Sequence, residues 1–300
     1  MRVDPQYINN VVSALDAVSA NEENLTNELS SGVSVNSLSD NPVAAGESVL
    51  LTAQLNANDT YSQTASLTEG SLQVADSALG GVVTQLTNAI TLATEVNDGT
   101  LNSSNINTIT NQLTSIRSEV LSLANSSFQG RFIFAGSQGG TTPFTLDTTT
   151  TPATVNYAGD NDVSFVQTPG GQQIATNVPG SQLFNAPGNS VLGALNQIIG
   201  DLSSGAPSSA TTADLTGLNN ALDYVNQQRA TLDDSITQLT ASGNFSSSQS
   251  VQLQSVQDTL LQTDTPQVAS QLSSAETQQA ALTQVIAAIE QQGTLFSVLN

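Results

Sequence analysis

The sequence predicts a mainly α-helical protein with a small β-rich insert near its middle. Through both ends of the chain, apolar residues recur at intervals of three and four, a spacing typical of helices that pack as coiled coils. Between residues 131 and 190 the pattern changes to short β-branched and aromatic segments separated by turn residues. Because helical halves flank the insert, we expect them to run antiparallel as a long helical bundle or coiled-coil rod.

The first helix is predicted from a narrow apolar line that we call the N-terminal seam. Gly32 and the polar residues after it end this helix, and Asn41 and Pro42 start the next one. Asn can cap free backbone amides, and Pro suits the first helical position because its missing N–H would have no partner there. The N-terminal seam consists of Ile8, Val11, Leu15, Val18, Leu25 and Leu29, with an interruption at Glu22.

Further helices are predicted over residues 42–97 and from about 106 to 128. Helical periodicity resumes near residue 191, passes a linker at 203–212 and forms another helix over 218–239. A Ser-rich turn is expected over residues 242–248, followed by a last helix that reaches the C-terminal end. Arg229 lies on an apolar line, where it either pairs with a carboxylate or extends to solvent. The last helix carries the C-terminal seam, formed by Leu272, Leu282, Ile286, Ile289, Phe296 and Leu299.

Two arrangements can cover seams this narrow. They can form the inner wall of an ordinary helix bundle, or they can be covered by neighbouring copies of the chain. The second is favoured because the seams lie at the two ends of the chain, and it predicts poorly ordered terminal segments in the isolated protein. The predicted division is therefore residues 1–41 with 265–300 as terminal coiled-coil segments, 42–130 with 191–264 as a helical rod, and 131–190 as a β-rich outer domain.

The charge composition restricts the partners of the chain. Twenty-five acidic residues and four basic residues, all Arg, give a formal net charge of -21. Such a chain lacks the basic surface that neutralises phosphate, so we expect no nucleic-acid partner and no anionic membrane partner. Its wholly apolar runs reach only about five residues, which predicts no membrane insertion, and its first residues lack the apolar stretch of a cleaved secretory signal.

The sequence contains no Cys and no His, which excludes thiolate nucleophiles, conventional Ser/His/Asp triads and zinc ribbons. Asp160 to Asp162 is interpreted as a turn, since it lacks the Gly and the distal Glu of a calcium loop. The neighbouring acids Asp233 and Asp234 point about 100° apart on a helix, which does not suit two groups flanking one substrate bond. We therefore expect no catalytic, cofactor or metal site, and a carboxylate-based glycan hydrolase is only a distant alternative.

Several motifs resemble a known family. Residues 29–32, Asn36 and residues 39–45 are similar to the N-terminal signature of bacterial flagellins and hook-associated proteins. Residues 130–136, Gly-Arg-Phe-Ile-Phe-Ala-Gly, resemble an element of the hook-associated protein 3 family, where flagellins usually carry a Phe-Asn-Gly type sequence. Further similar elements are Tyr157-Ala-Gly-Asp160, Pro179-Gly180 leading to Phe184, and the C-terminal Leu295-Phe296 with Leu299.

The resemblance implies a structural protein at the junction between the flagellar hook and filament. It implies a ring of copies, contacts with a neighbouring hook-associated protein and with flagellin, an export chaperone, and type III export into the extracellular flagellum. The helical termini would form the inner layers and the β insert the outward domain. One departure from the family is Val33-Ser34-Val35, where a basic pair is common. The alternative is a flagellin, the filament subunit itself.

Overall fold

The structure, a computed structural model, describes residues 5–97, 101–150, 153–204 and 210–298. The prediction of a mainly α-helical chain with a small central β region is confirmed. The helices are α1 (Pro5–Ser31), α2 (Pro42–Asn97), α3 (Ser103–Ala124), α4 (Gly180–Phe184), α5 (Val191–Ser203), α6 (Ala210–Leu261) and α7 (Thr265–Val298). The strands are β1 (Ser127–Phe128), β2 (Arg131–Phe132), β3 (Phe144–Asp147), β4 (Thr154–Tyr157), β5 (Phe165–Gln167) and β6 (Gln173–Ala175).

The chain divides into two compact units. The terminal unit comprises the described residues up to Asn56 and from Gln249 onward, so it holds α1, α7, the start of α2 and the end of α6. The central unit comprises Ala57–Ser248 and therefore includes the β strands. None of the described helices is long and apolar enough to cross a membrane.

In the terminal unit, α1 and α7 pack against each other and run antiparallel. Ser19 of α1 lies beside Gln279 of α7, whereas Leu25, further along α1, lies beside Val268, near the start of α7. The two connecting segments that follow α1 and α6 also pair. The Ser34 amide donates to the Leu261 carbonyl at 2.7 Å, and the Thr263 amide donates to the Gly32 carbonyl at 3.1 Å. Gly32 has φ +70°, a left-handed conformation that ends α1 at little steric cost.

The central unit has one hydrophobic core to which α2, α3, α5 and α6 all contribute. Gly81 allows close packing here, since a Cβ at this position would lie 2.9 Å from Cδ1 of Leu123. α3 also packs against α5. The helical periodicity of the sequence therefore marks a core face. Fully buried residues of this face are Leu79, Val82, Leu86, Ala89 and Ala93 of α2, Leu113 and Val120 of α3, Leu195 and Ile198 of α5, and Leu218, Ala221 and Val225 of α6.

The β insert consists of three antiparallel two-stranded sheets: β1 with β2, β3 with β4, and β5 with β6. In the second sheet Phe144 faces Tyr157, and in the third Phe165 faces Ala175. The turn between β1 and β2 is Gln129-Gly130, with φ of +50° and +78°, as expected for a two-residue type I′ hairpin.

Two local predictions were wrong. The helix predicted to reach residue 128 ends at Ala124, and Ser127–Phe128 form strand β1. Residues 242–248 do not form a turn, because α6 continues through them to Leu261. Two of the hydroxyls in this segment have partners inside the helical structure. The Ser248 hydroxyl donates to the Asn244 carbonyl at 2.9 Å, and the buried Ser246 hydroxyl donates to the Asn58 carbonyl of α2 at 3.3 Å. A Ser whose hydroxyl bonds back to the preceding turn does not need to end a helix. The break lies later, at residues 262–264. Of the linker predicted at 203–212, residues 205–209 lie outside the described part.

Candidate subunit-contact surfaces

The N-terminal seam faces α7 of the same chain. Val11 and Leu25 are buried, Leu15 and Val18 are half-buried, and Leu29 is 37% exposed. The side chain of Ile8 lies outside the described part of the chain. The seam is therefore covered on the side facing α7, and several of its residues still have accessible surface.

The C-terminal seam faces α1 and is less covered. Leu272, Leu282, Ile286 and Ile289 are all half-buried. Among the α7 residues whose side chains are described, Val268 and Ala275 are buried, and they form a small cluster with Leu25. The spacing of the sequence places Ala275 on the same apolar line as Leu272, whereas Val268, four residues before Leu272, was not predicted. The Phe296 side chain and Leu299 lie outside the described residues.

Polar side chains of α1 and α7 lie opposite each other at one level of the two seams. The Gln279 side-chain amide donates to the Ser19 hydroxyl at 3.3 Å across α1 and α7. Glu22 lines the same pocket as Ser19 and Gln279. Polar side chains that pair at one level of an apolar seam fix the register of the two helices, because any slip would leave them facing apolar neighbours.

A network of hydrogen bonds fixes the loop between α1 and α2. The Asn41 side chain accepts from the Ala44 amide at 3.1 Å and so caps α2, which begins at Pro42. The Asp40 carboxylate accepts from the amides of Asn36 and Ser37 at 3.0 and 2.7 Å and from the Ser37 hydroxyl at 2.8 Å. The bonds from Ser37, first of all that of its hydroxyl, hold the pKa of Asp40 below its ordinary value.

The motifs of the β insert converge on one place, which we call the motif cluster: residues 134–137, 157–160, Gly180 and Phe184. The Gly180 amide donates to the Phe134 carbonyl at 2.8 Å, and the Asp160 amide donates to the Ala135 carbonyl at 3.2 Å. The phenol oxygen of Tyr157 lies 2.9 Å from the Phe134 carbonyl and 2.8 Å from the Asp160 carbonyl. Burial raises the pKa of this phenol. The cluster positions the insert; its residues are bound to one another.

The aromatic rings of the insert complete this cluster. Phe184 makes edge-on contacts with Phe134 and Phe144, with ring centres 5.3 and 5.2 Å apart, and Phe144 lies 4.9 Å from Tyr157. All three Phe side chains are fully buried. The aromatic content of a chain with few aromatics is therefore concentrated where a small sheet region needs a core.

Two of the charged side chains singled out in the sequence, Asp160 and Arg229, have structural partners. The Asp160 carboxylate accepts from the Ser137 amide at 2.7 Å and from the Asp162 amide at 3.2 Å, which is the geometry of a turn. Among the described residues, no three acidic side chains come close enough to hold a metal ion. Arg229 donates to both carboxylate oxygens of Asp76, at 2.7 and 3.1 Å, so the carboxylate partner is the alternative that the structure selects.

Comparison with known proteins relates this arrangement to flagellar proteins. The family model of the bacterial flagellin N-terminal helical region matches residues 6–139. A flagellar hook-associated protein 3 of Salmonella typhimurium is 28% identical over 163 residues, which cover 54% of this chain and 50% of that protein. A flagellar hook-associated protein 3 of Escherichia coli is 25% identical over 229 residues, which cover 71% of this chain and 72% of that protein. The Salmonella alignment thus spans half of that relative.

Solved structures show the same fold. A flagellar hook-associated protein from Vibrio parahaemolyticus superposes with a TM-score of 0.65 at 20% identity, covering 74% of this chain and 99% of that structure. Hook-associated protein 3 from Legionella pneumophila gives a TM-score of 0.64 at 12% identity, with coverage of 70% and 98%. The chain is thus similar in sequence to the flagellin N-terminal helical region and to flagellar hook-associated protein 3, and it shares the fold of these solved structures. In this chain, the motifs that resemble hook-associated proteins at the sequence level lie in the α1–α2 loop and in the motif cluster.

Proposed function

We propose that the chain is a structural junction subunit that connects the flagellar hook to the filament through helical packing between copies. One observation supports this most: α1 and α7 cover each other's seams on one side only. Leu15, Val18, Leu282 and Ile286 are half-buried although they continue the same apolar lines. In a multi-stranded coiled coil, further helices would pack against that open side.

The size of the α1–α7 contact supports the same proposal. The buried cluster there consists of Leu25, Val268 and Ala275, with Val18 and Leu272 packed against it. At about 25 cal/mol per Å² of buried apolar surface, so few side chains stabilise a helix pair only weakly. Neighbouring copies that cover the remaining seam surface would add burial that one chain does not have. The terminal helices would then gain most of their stability on assembly.

The partners in this proposal are other copies of the chain in a ring, an adjacent hook-associated protein, flagellin and an export chaperone. The chain would be secreted by the flagellar type III apparatus and would reside in the extracellular flagellum. The residues proposed as subunit contacts are those of the N-terminal and C-terminal seams. The β insert, which is held together by the motif cluster, would face outward.

Substitution of a seam residue by Asp tests the proposal. Leu15→Asp and Ile286→Asp each place a charge where assembly would desolvate it, so we expect the protein to be absent from isolated flagella and motility to be lost. Ala17→Asp and Ala287→Asp add the same charge at exposed positions of α1 and α7 and should assemble normally. Normal junctions in both seam variants would contradict the assignment.

The alternative function, a flagellin, is kept because the matching family model is that of the flagellin N-terminal region. Deletion of the gene separates the two. Loss of a junction protein leaves flagellin exported without an attachment site, so flagellin monomers should accumulate in the medium. Loss of a sole filament subunit would leave no flagellin to release.

A further inference from the structure

Arg131 differs from the other basic residues of this acidic chain. Arg117 is buried and donates to the side-chain oxygen of Asn196, and Arg229 is paired with Asp76. Arg2 lies outside the described residues. Within the described ranges, Arg131 is therefore the exposed guanidinium that has no carboxylate partner. In a chain of net charge -21, it is thus the guanidinium of the described residues that is open to an acidic surface of another molecule.

The Arg131 side chain packs against the segment at Gly139. Its side chain lies over Gly139, where a Cβ would be 2.9 Å from the Arg131 Nε and 3.2 Å from Nη2. The neighbouring Phe132 amide donates to the Gly139 carbonyl at 2.8 Å, which holds the two segments together. A charged side chain that already packs against neighbouring backbone loses less conformational entropy when it binds a partner than one extended into solvent.

A groove of about 400 Å³ lies beside Arg131, which is one of its lining residues. One wall is α2, with Leu67 and Ser71, and the other is the hairpin, with Phe128 and Phe132. Leu67 is 57% exposed, so the groove presents apolar surface beside the Arg131 guanidinium. This combination fits a helix face on which apolar side chains flank a carboxylate.

The first turns of α2 carry such a face. Val43 is 78% and Leu50 66% exposed, and the exposed Glu47 lies between them. Residues four and seven positions apart share one side of a helix, so these three form a stripe about 10 Å long. We call it the Glu47 stripe. Its surroundings in the terminal unit do not cover it.

We propose that the groove at Arg131 binds the Glu47 stripe of a second copy of the chain. Copies that each carry 21 net negative charges repel one another, so a contact between them favours a site that joins the free cation to a carboxylate. The two surfaces are different, so the contact is heterologous and continues from copy to copy. This inference rests on the proposed function, because it names a contact through which copies of a junction subunit assemble.

Charge exchange tests the contact. Arg131→Glu and Glu47→Arg should each reduce the protein found in isolated flagella by about tenfold or more, because like charges then face each other. The double variant, Arg131→Glu with Glu47→Arg, restores an attractive pair and should recover most of the loss. Arg131→Gln, which removes only the charge, should have a smaller effect. Two single variants that both assemble like the natural chain, or a double variant no better than either, would overturn the proposal.

The absence of native Cys allows a direct second test. One copy carries Ser71→Cys in the groove, and another carries Val43→Cys in the stripe; cells that produce both should yield a disulfide-linked dimer in assembled flagella on oxidation. The control replaces Val43→Cys with Thr87→Cys, an exposed α2 position outside the stripe. Equal crosslinking in both pairs would overturn the contact. If the contact fails while gene deletion still releases flagellin, the junction function stands and only this interface is wrong.

Discussion

At the scale of single residues, glycines and buried polar groups decide how closely the segments of the insert approach. A Cβ at Gly180 would lie 2.7 Å from the Phe134 carbonyl oxygen and 2.7 Å from the Phe144 ring. Both neighbours belong to the motif cluster, and one of them is backbone. The Pro-Gly element of the sequence is therefore explained by space, since Gly180 has no room for a side chain.

Gly180→Ala is expected to destabilise the central unit. Overpacking against backbone and a buried ring costs typically about 1 to 3 kcal/mol, which would lower the midpoint of thermal unfolding by several degrees. Circular dichroism of the purified chain measures this. Gly140→Ala is the control, because a Cβ there meets nothing within 4 Å. Equal midpoints for the two variants would contradict the role assigned to Gly180.

Arg117 is a buried charged residue that the sequence does not identify as buried. It is buried on α3 and makes a 3.1 Å hydrogen bond to the Asn196 side chain on α5, and its burial lowers its pKa. Nothing in the periodicity of α3 distinguishes it from a solvent-facing Arg. Asn196 is likewise buried, and the spacing of apolar residues in α5 does not predict that a polar residue there belongs to the core.

At the scale of elements, two acids interact where α5 ends and α6 begins: Asp201 and Asp214. Asp214 of α6 is buried, and its Oδ2 atom has no hydrogen-bond partner. Burial, followed by the charge of Asp201 on α5 and a hydrogen bond with it, raises the pKa of Asp214 from 3.8 to about 6. Two carboxylates that face each other can share a hydrogen bond only when one carries a proton.

The stability of the central unit should therefore depend on pH through Asp214. Because its folded pKa is raised, the stabilising proton is fully bound below about pH 4 and is lost as the pH rises through about 6. The loss amounts to at most about 3 kcal/mol near neutral pH. Asp214→Asn should remove this dependence in unfolding measured between pH 4 and 8. Asp234→Asn, an exposed acid on the same helix, controls for the change in net charge and should retain it.

At the scale of the whole molecule, the two units differ in how much apolar surface each buries. The buried cluster between α1 and α7 is small, whereas the central core includes side chains from four long helices and from the insert. Limited proteolysis of the purified monomer should therefore cleave α1 and α7 well before the central unit. Mass spectrometry of the fragments identifies the sites. Termini as resistant as the central unit would contradict the expectation that they gain their stability on assembly.

The two seams show how much of the terminal unit can be predicted from the sequence. Their residues were predicted from spacing alone, and α1 and α7 form helices over all of them except Leu299, which lies outside the described residues. Spacing does not say which helix faces which. In the structure each seam faces the other, with Leu25 beside Val268 and Ser19 bonded to Gln279. Their contacts between copies stay a prediction, and the half-buried residues are where those contacts would form.

The sequence by itself determined the helical fold class, the position of the β insert, the start of α2 at Asn41-Pro42 and the resemblance to flagellar proteins. These depend on local periodicity and on turn and capping chemistry, which lie within a few residues of each other. Only the tertiary structure decided that Arg229 pairs with Asp76, that α6 continues through its Ser-rich segment, and that Asp201 and Asp214 meet. Each of these contacts joins residues that are distant in the chain or depends on a neighbouring element. A local sequence pattern therefore cannot identify the partner.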